Sequence, residues 1–218
     1  MNRQLDYFIS SIDESKRDDN GNLIIQIQDN GLLEYVKSVE NIKIKTNKNN
    51  TIILHKNNYK NCSITLGNNN FIYIDKSKFP ISGLSIAAPR SRNCSIKIGS
   101  DFSCFGVVIK ANASNALTIG NDCMFSYGIY IWMDDGHTII DENGTPINYP
   151  SPIIFGDHVW CGFDARILKG SEIPSNTVIG IGSIVNKKFV EKNIIIAGIP
   201  AKIIKRKCNW DRKNVIDY

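Results

Sequence analysis

The sequence predicts a mainly β fold, a parallel β-solenoid built from six-residue repeats. From Phe155 to Val185 every sixth residue is apolar, and the residue two positions earlier in each sextet is apolar or small. A six-residue step covers about 600° on an α-helix, so these side chains would not form one helical stripe. A fixed period of six is typical of short parallel strands that stack coil on coil and bury one side chain per repeat.

Two sets of residues carry this repeat. The inward track consists of Phe155, Cys161, Ile167, Ile173, Ile179 and Val185. The second track consists of Ile153, Val159, Ala165, Ser171, Thr177 and Ser183. Glycine follows three members of the inward track, at Gly156, Gly162 and Gly180, where a turning backbone favours it.

Upstream, irregular coils of the same solenoid are predicted from Ile42 onward. Apolar pairs such as Ile52 and Leu54 recur there between asparagine-rich stretches that tolerate turn conformations. The six-residue register is then strict through Val107, Ala113, Ile119, Phe125 and Ile131. We therefore expect an N-terminal cap over residues 1–40, the β-helix over 41–206 and a tail over 207–218. A short helix in the cap and a helical or loose tail are the simplest interpretations of these ends.

A loop interrupts the repeat at residues 132–152, which are too many and too polar for one sextet. The solenoid must extrude this segment, and loops on a rigid scaffold often carry function. The loop contains Trp132, Asp134, Asp135, His137 and Asp141. A neutral imidazole is the usual general base for a hydroxyl proton, and a nearby carboxylate or a backbone carbonyl can accept its other proton. His55 and His158 are expected to be surface residues.

Composition restricts the partners and the compartment. We find no apolar stretch long enough to span a membrane and no signal-peptide pattern, so a cytoplasmic protein without a membrane span is expected. The six cysteines contain no CxxC pair and are interpreted as buried small side chains, with no metal site or disulfide framework. The net charge of +5 suits an anionic cofactor or polymer, although solvated lysines are the commoner explanation of such a surplus. No nucleic-acid partner is expected.

The segment DDGHTIID at 134–141, followed by a proline and by VWCG at 159–162, resembles bacterial capsular and surface polysaccharide O-acetyltransferases of the hexapeptide-repeat acyltransferase family. The resemblance covers roughly residues 96–206. It implies a left-handed β-helix, a homotrimer with clefts between subunits, and acetyl-CoA as the acyl donor. It also implies that His137 is the catalytic base and that the acceptor is a sugar hydroxyl of a surface polysaccharide.

The same resemblance implies a set of binding residues. AGIPAKIIK at 197–205 is similar to the family's closing segment, whose lysines attract the phosphates of coenzyme A. The residues implied to bind acetyl-CoA are Trp160, Phe163, Ile181, Asn186, Lys187, Lys202 and Lys205. Trp132 and Asp135 are assigned to the acceptor. For Trp160, simple packing at a solenoid corner is an equal alternative, and the lysines would also serve solubility.

Other functions remain open at this point. Within the fold, the acceptor could be the amine of a sugar nucleotide or an antibiotic. A non-catalytic solenoid that binds a partner would need neither a cofactor nor His137. A carbonic anhydrase of this fold would need three histidines that converge on zinc, and the close HxxxxH pair is absent from the sequence.

Overall fold

The structure, a computed structural model that describes residues 9–217, is a left-handed parallel β-helix with three sides. The described part of the chain forms two short 3-10 helices, at Glu14–Lys16 and Val215–Asp217, and the strands that follow. The first strands are β1 Leu23–Ile27, β2 Leu33–Tyr35, β3 Ile42–Thr46, β4 Thr51–His55, β5 Tyr59–Lys60, β6 Cys62–Asn68, β7 Phe71–Ile74, β8 Ile81–Arg92, β9 Ser95–Ile98, β10 Ser103–Lys110 and β11 Ala116–Ile119. The later ones are β12 Met124–Phe125, β13 Ile129–Trp132, β14 Ile153–Phe155, β15 Trp160–Cys161, β16 Arg166–Leu168, β17 Glu172–Ile173, β18 Val178–Ile179, β19 Ile184–Val185, β20 Ile194–Gly198 and β21 Ala201–Arg206.

Each side of the prism is one ladder of strands. The first side has the order β17-β14-β11-β9-β7-β4-β1-β2. The second side runs β5, the start of β8, the start of β10, β12, β15, β18, β20 and β21. The third side runs β3, β6, the rest of β8 and β10, β13, β16 and β19. The chain visits the sides in this order, so three edges separate them.

The six-residue register is confirmed. Phe155 pairs with Ile173, Cys161 with Ile179, and Ile167 with Val185, so three sextets make one coil. Every member of the inward track and of the second track is buried, with at most 1% of its surface exposed. Inside the coils the ring of Phe125 lies 5.2 Å from that of Phe102 and 5.0 Å from that of Phe155.

The register upstream is confirmed with one exception. Val107, Ile119, Phe125 and Ile131 are fully buried, whereas Ala113 is only half-buried. Ala113 lies in the turn after β10, where its N–H donates to Asp134. The six-residue step therefore fails at the coil that precedes the extruded loop, because a polar turn replaces the repeat there.

The corners use residues that accept a left-handed backbone. Of the twelve non-glycine residues with positive φ among residues 9–217, seven are asparagine and three are aspartate. Their short polar side chains make this conformation accessible. Some asparagines also form a buried ladder between coils, in which Asn50 donates to Asn22 at 2.9 Å and Asn70 donates to Asn50 at 2.9 Å. The expectation of asparagine-rich turns is confirmed, and the ladder adds a structural role for them.

The N-terminal coil is covered by a hairpin. β1 pairs in parallel with β4 and antiparallel with β2, so β2 lies at the end of the first side. The outward side chains of β1 form a second apolar cluster with Ile53 and Tyr73. Ile9 and Ser10 are helical and a 3-10 helix follows at Glu14–Lys16, whereas residues 1–8 of the expected cap lie outside the described residues. The division at residue 40 stays a prediction.

The C-terminal residues form a strap, defined here as residues 207–217, that runs back along the helix. Trp210 is buried, and its indole N–H donates to the carbonyl of His158 at 2.8 Å. Arg212 donates to Asp122 at 3.0 Å, to Ser103 at 2.8 Å and to the carbonyl of Asp101 at 3.0 Å. The strap therefore holds coils that precede the extruded loop in the chain.

Candidate active site

The extruded loop leaves the solenoid at the edge between the third and first sides, and its presence is confirmed. It connects the end of β13 at Trp132 to the start of β14 at Ile153. Its middle folds back on itself, because Ile147 donates to the carbonyl of Ile139 at 2.9 Å and Asp141 donates to that of Thr145 at 2.9 Å. The loop is thus an ordered projection that can present side chains away from the core.

His137 lies in this loop beside a cavity of about 460 Å³. The cavity is lined by Asn112, Ala113, Asp134, Asp135, Gly136, His137, Thr138, Pro146, Asn148, Tyr149 and Pro150. The side chain of His137 is exposed, and within residues 9–217 its ring makes no hydrogen bond. Its carbonyl accepts from the side-chain amide of Asn148 at 2.8 Å, which fixes the backbone while the imidazole stays available.

The three candidate orienting carboxylates are bound to other groups. Asp134 is buried and accepts from the backbone N–H groups of Asn112, Ala113 and Gly136 at 2.5, 3.1 and 2.9 Å. Asp141 accepts from the N–H groups of the turn that follows it. These carboxylates shape the loop, so the structure does not select one of them as the partner of the His137 ring.

Asp135 joins the two ends of the loop. Its carboxylate accepts from the ammonium of Lys169 at 2.6 Å and from the amide of Asn148 at 2.7 Å. Lys169 also donates to the carbonyl of Asn148 at 2.6 Å. The bond to Lys169 holds the pKa of the Asp135 carboxyl below its usual range. Sequence reasoning missed Asn148 and Lys169, since amides and lysines in polar segments give no signal until the fold brings them together.

Comparison with known proteins gives the family. No family model matches the sequence. Over 190 residues the chain is 34% identical to the polysialic acid O-acetyltransferase of Neisseria meningitidis, a match that covers 76% of this chain and 87% of the relative. The chain belongs to the hexapeptide-repeat acetyltransferases.

Similarity to solved structures supports the assignment of this chain to the acetyltransferase family. The crystal structure of the polySia-specific acetyltransferase NeuO matches with a TM-score of 0.75 and 30% identity, over 89% of this chain and 86% of that one. The structure of the polysialic acid O-acetyltransferase OatWY matches with a TM-score of 0.58 and 28% identity, over 82% and 90% of the two chains. The predicted family, fold and enzyme class are therefore confirmed.

The residues assigned to acetyl-CoA lie on several parts of the acetyltransferase surface. Phe163 and Ile181 are exposed on the edge between the second and third sides, one coil apart. Trp160 is 38% exposed on the second side, and its ring lies 6.1 Å from that of Trp210 in the strap. Lys202 and Lys205 are exposed on β21 of that side. None of these residues lines the cavity beside His137.

The remaining assigned residues lie at or near the third side. Asn186 and Lys187 are exposed where β19 ends, on the same edge as the loop, and the ammonium of Lys187 lies 5.3 Å from the centre of the Phe189 ring. Trp132 is half-buried at the end of β13, with the ammonium of Lys110 lying 4.8 Å from the centre of its indole ring. All of these assignments stay predictions.

The expectation that the other two histidines are surface residues is wrong. Both are half-buried, and both rings lie against a carboxylate. The Nδ1 atom of His158 lies 2.7 Å from Asp122 and its Nε2 atom 2.9 Å from the carbonyl of Trp210. Its ring stacks on that of Trp210 with centroids 4.1 Å apart. His55 lies 3.4 Å from Asp75, and burial lowers the pKa of His55. These partners could not be predicted from the sequence, because they lie many positions away from the histidines in the chain.

Five of the six cysteines are buried as expected, and the sixth is not. Cys62, Cys94, Cys104, Cys123 and Cys161 are free and buried, and Cys208 is half-buried. Burial raises the pKa of the Cys123 thiol to about 12, so this thiol is neutral near physiological pH. Within residues 9–217 no group of three or more His, Cys, Asp or Glu side chains is arranged around a common metal position. No helix in this range is long and apolar enough to cross a bilayer.

Proposed function

We propose that this protein is an acetyl-CoA-dependent O-acetyltransferase that acts on a hydroxyl of a bacterial surface polysaccharide, with His137 as the general base. One observation carries the proposal: a chain of this family presents on its extruded loop, beside a cavity, an exposed imidazole that has no hydrogen-bond partner among residues 9–217. Named relatives act on polysialic acid, which supports an acidic sugar polymer as the acceptor.

In this reaction the residues of the chain position the imidazole of His137, which transfers the hydroxyl proton. When bound, acetyl-CoA supplies an activated acetyl thioester. A ring nitrogen of His137 accepts the proton of the sugar hydroxyl as the hydroxyl oxygen attacks the thioester carbonyl. The carbon–sulfur bond then breaks, and the imidazolium returns the proton to the thiolate of coenzyme A, which leaves as the free thiol. Asn148 and Asp135 hold the loop in place, so that the imidazole faces the cavity without a large ordering cost.

We also propose that the site is completed between subunits of a homotrimer. The loop carrying His137 and the residues Phe163 and Ile181 lie on two different edges of the prism. Each edge exposes apolar side chains that a monomer would leave in water. On the loop these are Ile139, Ile140, Ile147 and Tyr149, and on the other edge Phe105, Tyr127, Phe163, Ile181 and Ile199. Pairing of unlike edges around a closed ring would bury both sets and bring His137 to the cofactor residues of the next subunit.

The proposed function is tested by release of free thiol from acetyl-CoA. The purified protein is incubated with acetyl-CoA and polysialic acid, and the product is examined for ester-linked acetyl groups by mass spectrometry. We expect thiol release that depends on the polysaccharide. Absence of both binding and turnover with polysialic acid and with other acidic and neutral surface glycans would contradict the proposal.

A second prediction concerns the cofactor lysines. The double variant Lys202→Ala and Lys205→Ala is expected to weaken acetyl-CoA binding about 2- to 30-fold, because each exposed ion pair contributes about 0.2–1 kcal/mol. Calorimetry should show that wild-type binding weakens with ionic strength and that the variant responds less. The matched control, Lys56→Ala with Lys60→Ala, removes two exposed lysines from N-terminal coils. Equal affinities of all three proteins would show that these lysines do not contact the cofactor.

A further inference from the structure

The third side is strongly biased in charge. Its strand segments contain Lys43, Lys45, Arg90, Arg92, Lys110 and Arg166 but no aspartate or glutamate. The whole chain has 26 basic and 21 acidic residues, so its composition does not explain this exclusion. Of these six side chains, only that of Arg166 has a carboxylate within 4.0 Å among residues 9–217, at Asp164. The other five basic side chains keep their positive charge uncompensated at short range.

Between these charges the surface is rich in hydroxyl groups. One outward column of paired residues is Lys45, Thr65, Ala87, Lys110 and Trp132, and its neighbour is Lys43, Ser63, Ser85, Val108 and Tyr130. The centre of each column holds small side chains, and Ser63 donates to Ser85 at 3.0 Å. From β3 to β13 the ladder has four strand spacings, roughly 19 Å.

This surface passes beside the candidate active site. The column that begins at Lys45 reaches Trp132, which pairs onward with Leu168 and is the last residue of β13, where the loop that carries His137 begins. Arg92 lies on the same edge, and its carbonyl accepts from the hydroxyl of Ser114 at 2.6 Å. The turn that contains Ser114 also contains Asn112, which lines the cavity beside His137. A chain bound along the third side would therefore lead directly to the imidazole.

We propose that the third side is a docking surface for an extended, negatively charged polysaccharide whose hydroxyl groups are presented in turn to His137. This inference rests on the proposed function and adds the place where the acceptor polymer binds. Lysines attract the carboxylates of such a chain, the serine and threonine hydroxyls bond to its hydroxyls, and Trp132 offers an apolar face to a sugar ring. A surface of this length contacts several sugar units, so longer acceptors bind more tightly than short ones.

The test reverses two charges far from the catalytic loop. The double variant Lys43→Glu with Lys45→Glu is compared with Lys56→Glu and Lys60→Glu, which makes the same charge change off the third side. Fluorescence anisotropy measures binding of labelled polysialic acid without acetyl-CoA. We expect the first variant to lose affinity about tenfold, because each reversal replaces an attraction by a repulsion, and the control to lose less than about twofold. Raising the salt concentration should reduce the difference.

Steady-state kinetics with a long and a short acceptor test the docking surface separately from the proposed function. With polysialic acid as acceptor, the Lys43→Glu and Lys45→Glu variant should have a raised KM and an unchanged kcat, whereas with a sialic acid dimer both constants should match wild type. Equal losses in both double variants, tighter binding of duplex DNA than of polysialic acid, or a changed oligomeric mass in the first variant would each overturn the docking surface. The binding measurement decides this even if the wild-type protein acetylates neither acceptor, an outcome that would contradict only the proposed function.

Discussion

Replacement of His137 by alanine is expected to lower turnover about 10²- to 10⁴-fold, the usual contribution of a positioned general base. The side chain lies on the loop outside the core and makes no hydrogen bond through its ring within residues 9–217, so its truncation opens no buried cavity and breaks no hydrogen bond in this range. The melting temperature and the affinity for acetyl-CoA should therefore stay close to wild type. The measurement is the rate of thiol release at saturating donor and acceptor.

The control for this variant is Glu142→Ala, which truncates another exposed side chain of the same loop. It should keep most of the wild-type rate, because Glu142 does not line the cavity. His158→Ala is not a suitable control, since His158 holds the strap through Asp122 and Trp210. Wild-type turnover in His137→Ala would refute the catalytic assignment while leaving the fold and family intact.

The largest effect on stability is expected from Val185→Asp. Val185 is fully buried on the inward track, so the variant would place an unpaired carboxyl among apolar side chains and lose their packing. We expect the free energy of unfolding to fall by at least about 3 kcal/mol, which lowers the melting temperature of a chain of this length by at least about 6 °C.

Val190→Asp is the matched control. Val190 is 88% exposed and follows the last regular coil, so the same substitution should change the free energy of unfolding by less than about 0.5 kcal/mol. Thermal unfolding followed by circular dichroism compares the two variants. Similar melting temperatures would mean that the six-residue register does not define the core in solution.

The core could be predicted from the sequence because its signal is local and repeated. Phe155, Ile173 and Val185 are each recognised from neighbours at fixed spacing, and burial follows from the period alone. The extruded loop could be predicted for the same reason, as the place where the period fails. Ala113 shows the limit of this reasoning, because a residue in register became part of a turn that binds Asp134.

The details of the site could not be predicted because they depend on pairs that are distant in the chain. Asp135 is assigned to the acceptor from the sequence, whereas the structure shows its carboxylate bonded to Lys169, which lies 34 positions later. The asparagine-rich corners predicted turns, but only the stacking of coils shows that Asn50 and Asn70 bond to one another inside. The sequence likewise does not show that the residues assigned to acetyl-CoA lie on separate edges, because the stacking of the coils determines which edge each residue occupies.

The strap links the C-terminal end of the β-helix to its middle coils, which affects how the molecule unfolds. In a repeat array each coil contacts only its neighbours, so an end coil can fray without disturbing the rest. Arg212 bonds to Asp101, Ser103 and Asp122, about 90 to 110 residues earlier in the chain, and so bypasses the coils between. Loss of the last coil then requires release of contacts near the middle of the array. The strap thereby converts a modular series of coils into one cooperative unit and protects its C-terminal end against stepwise opening.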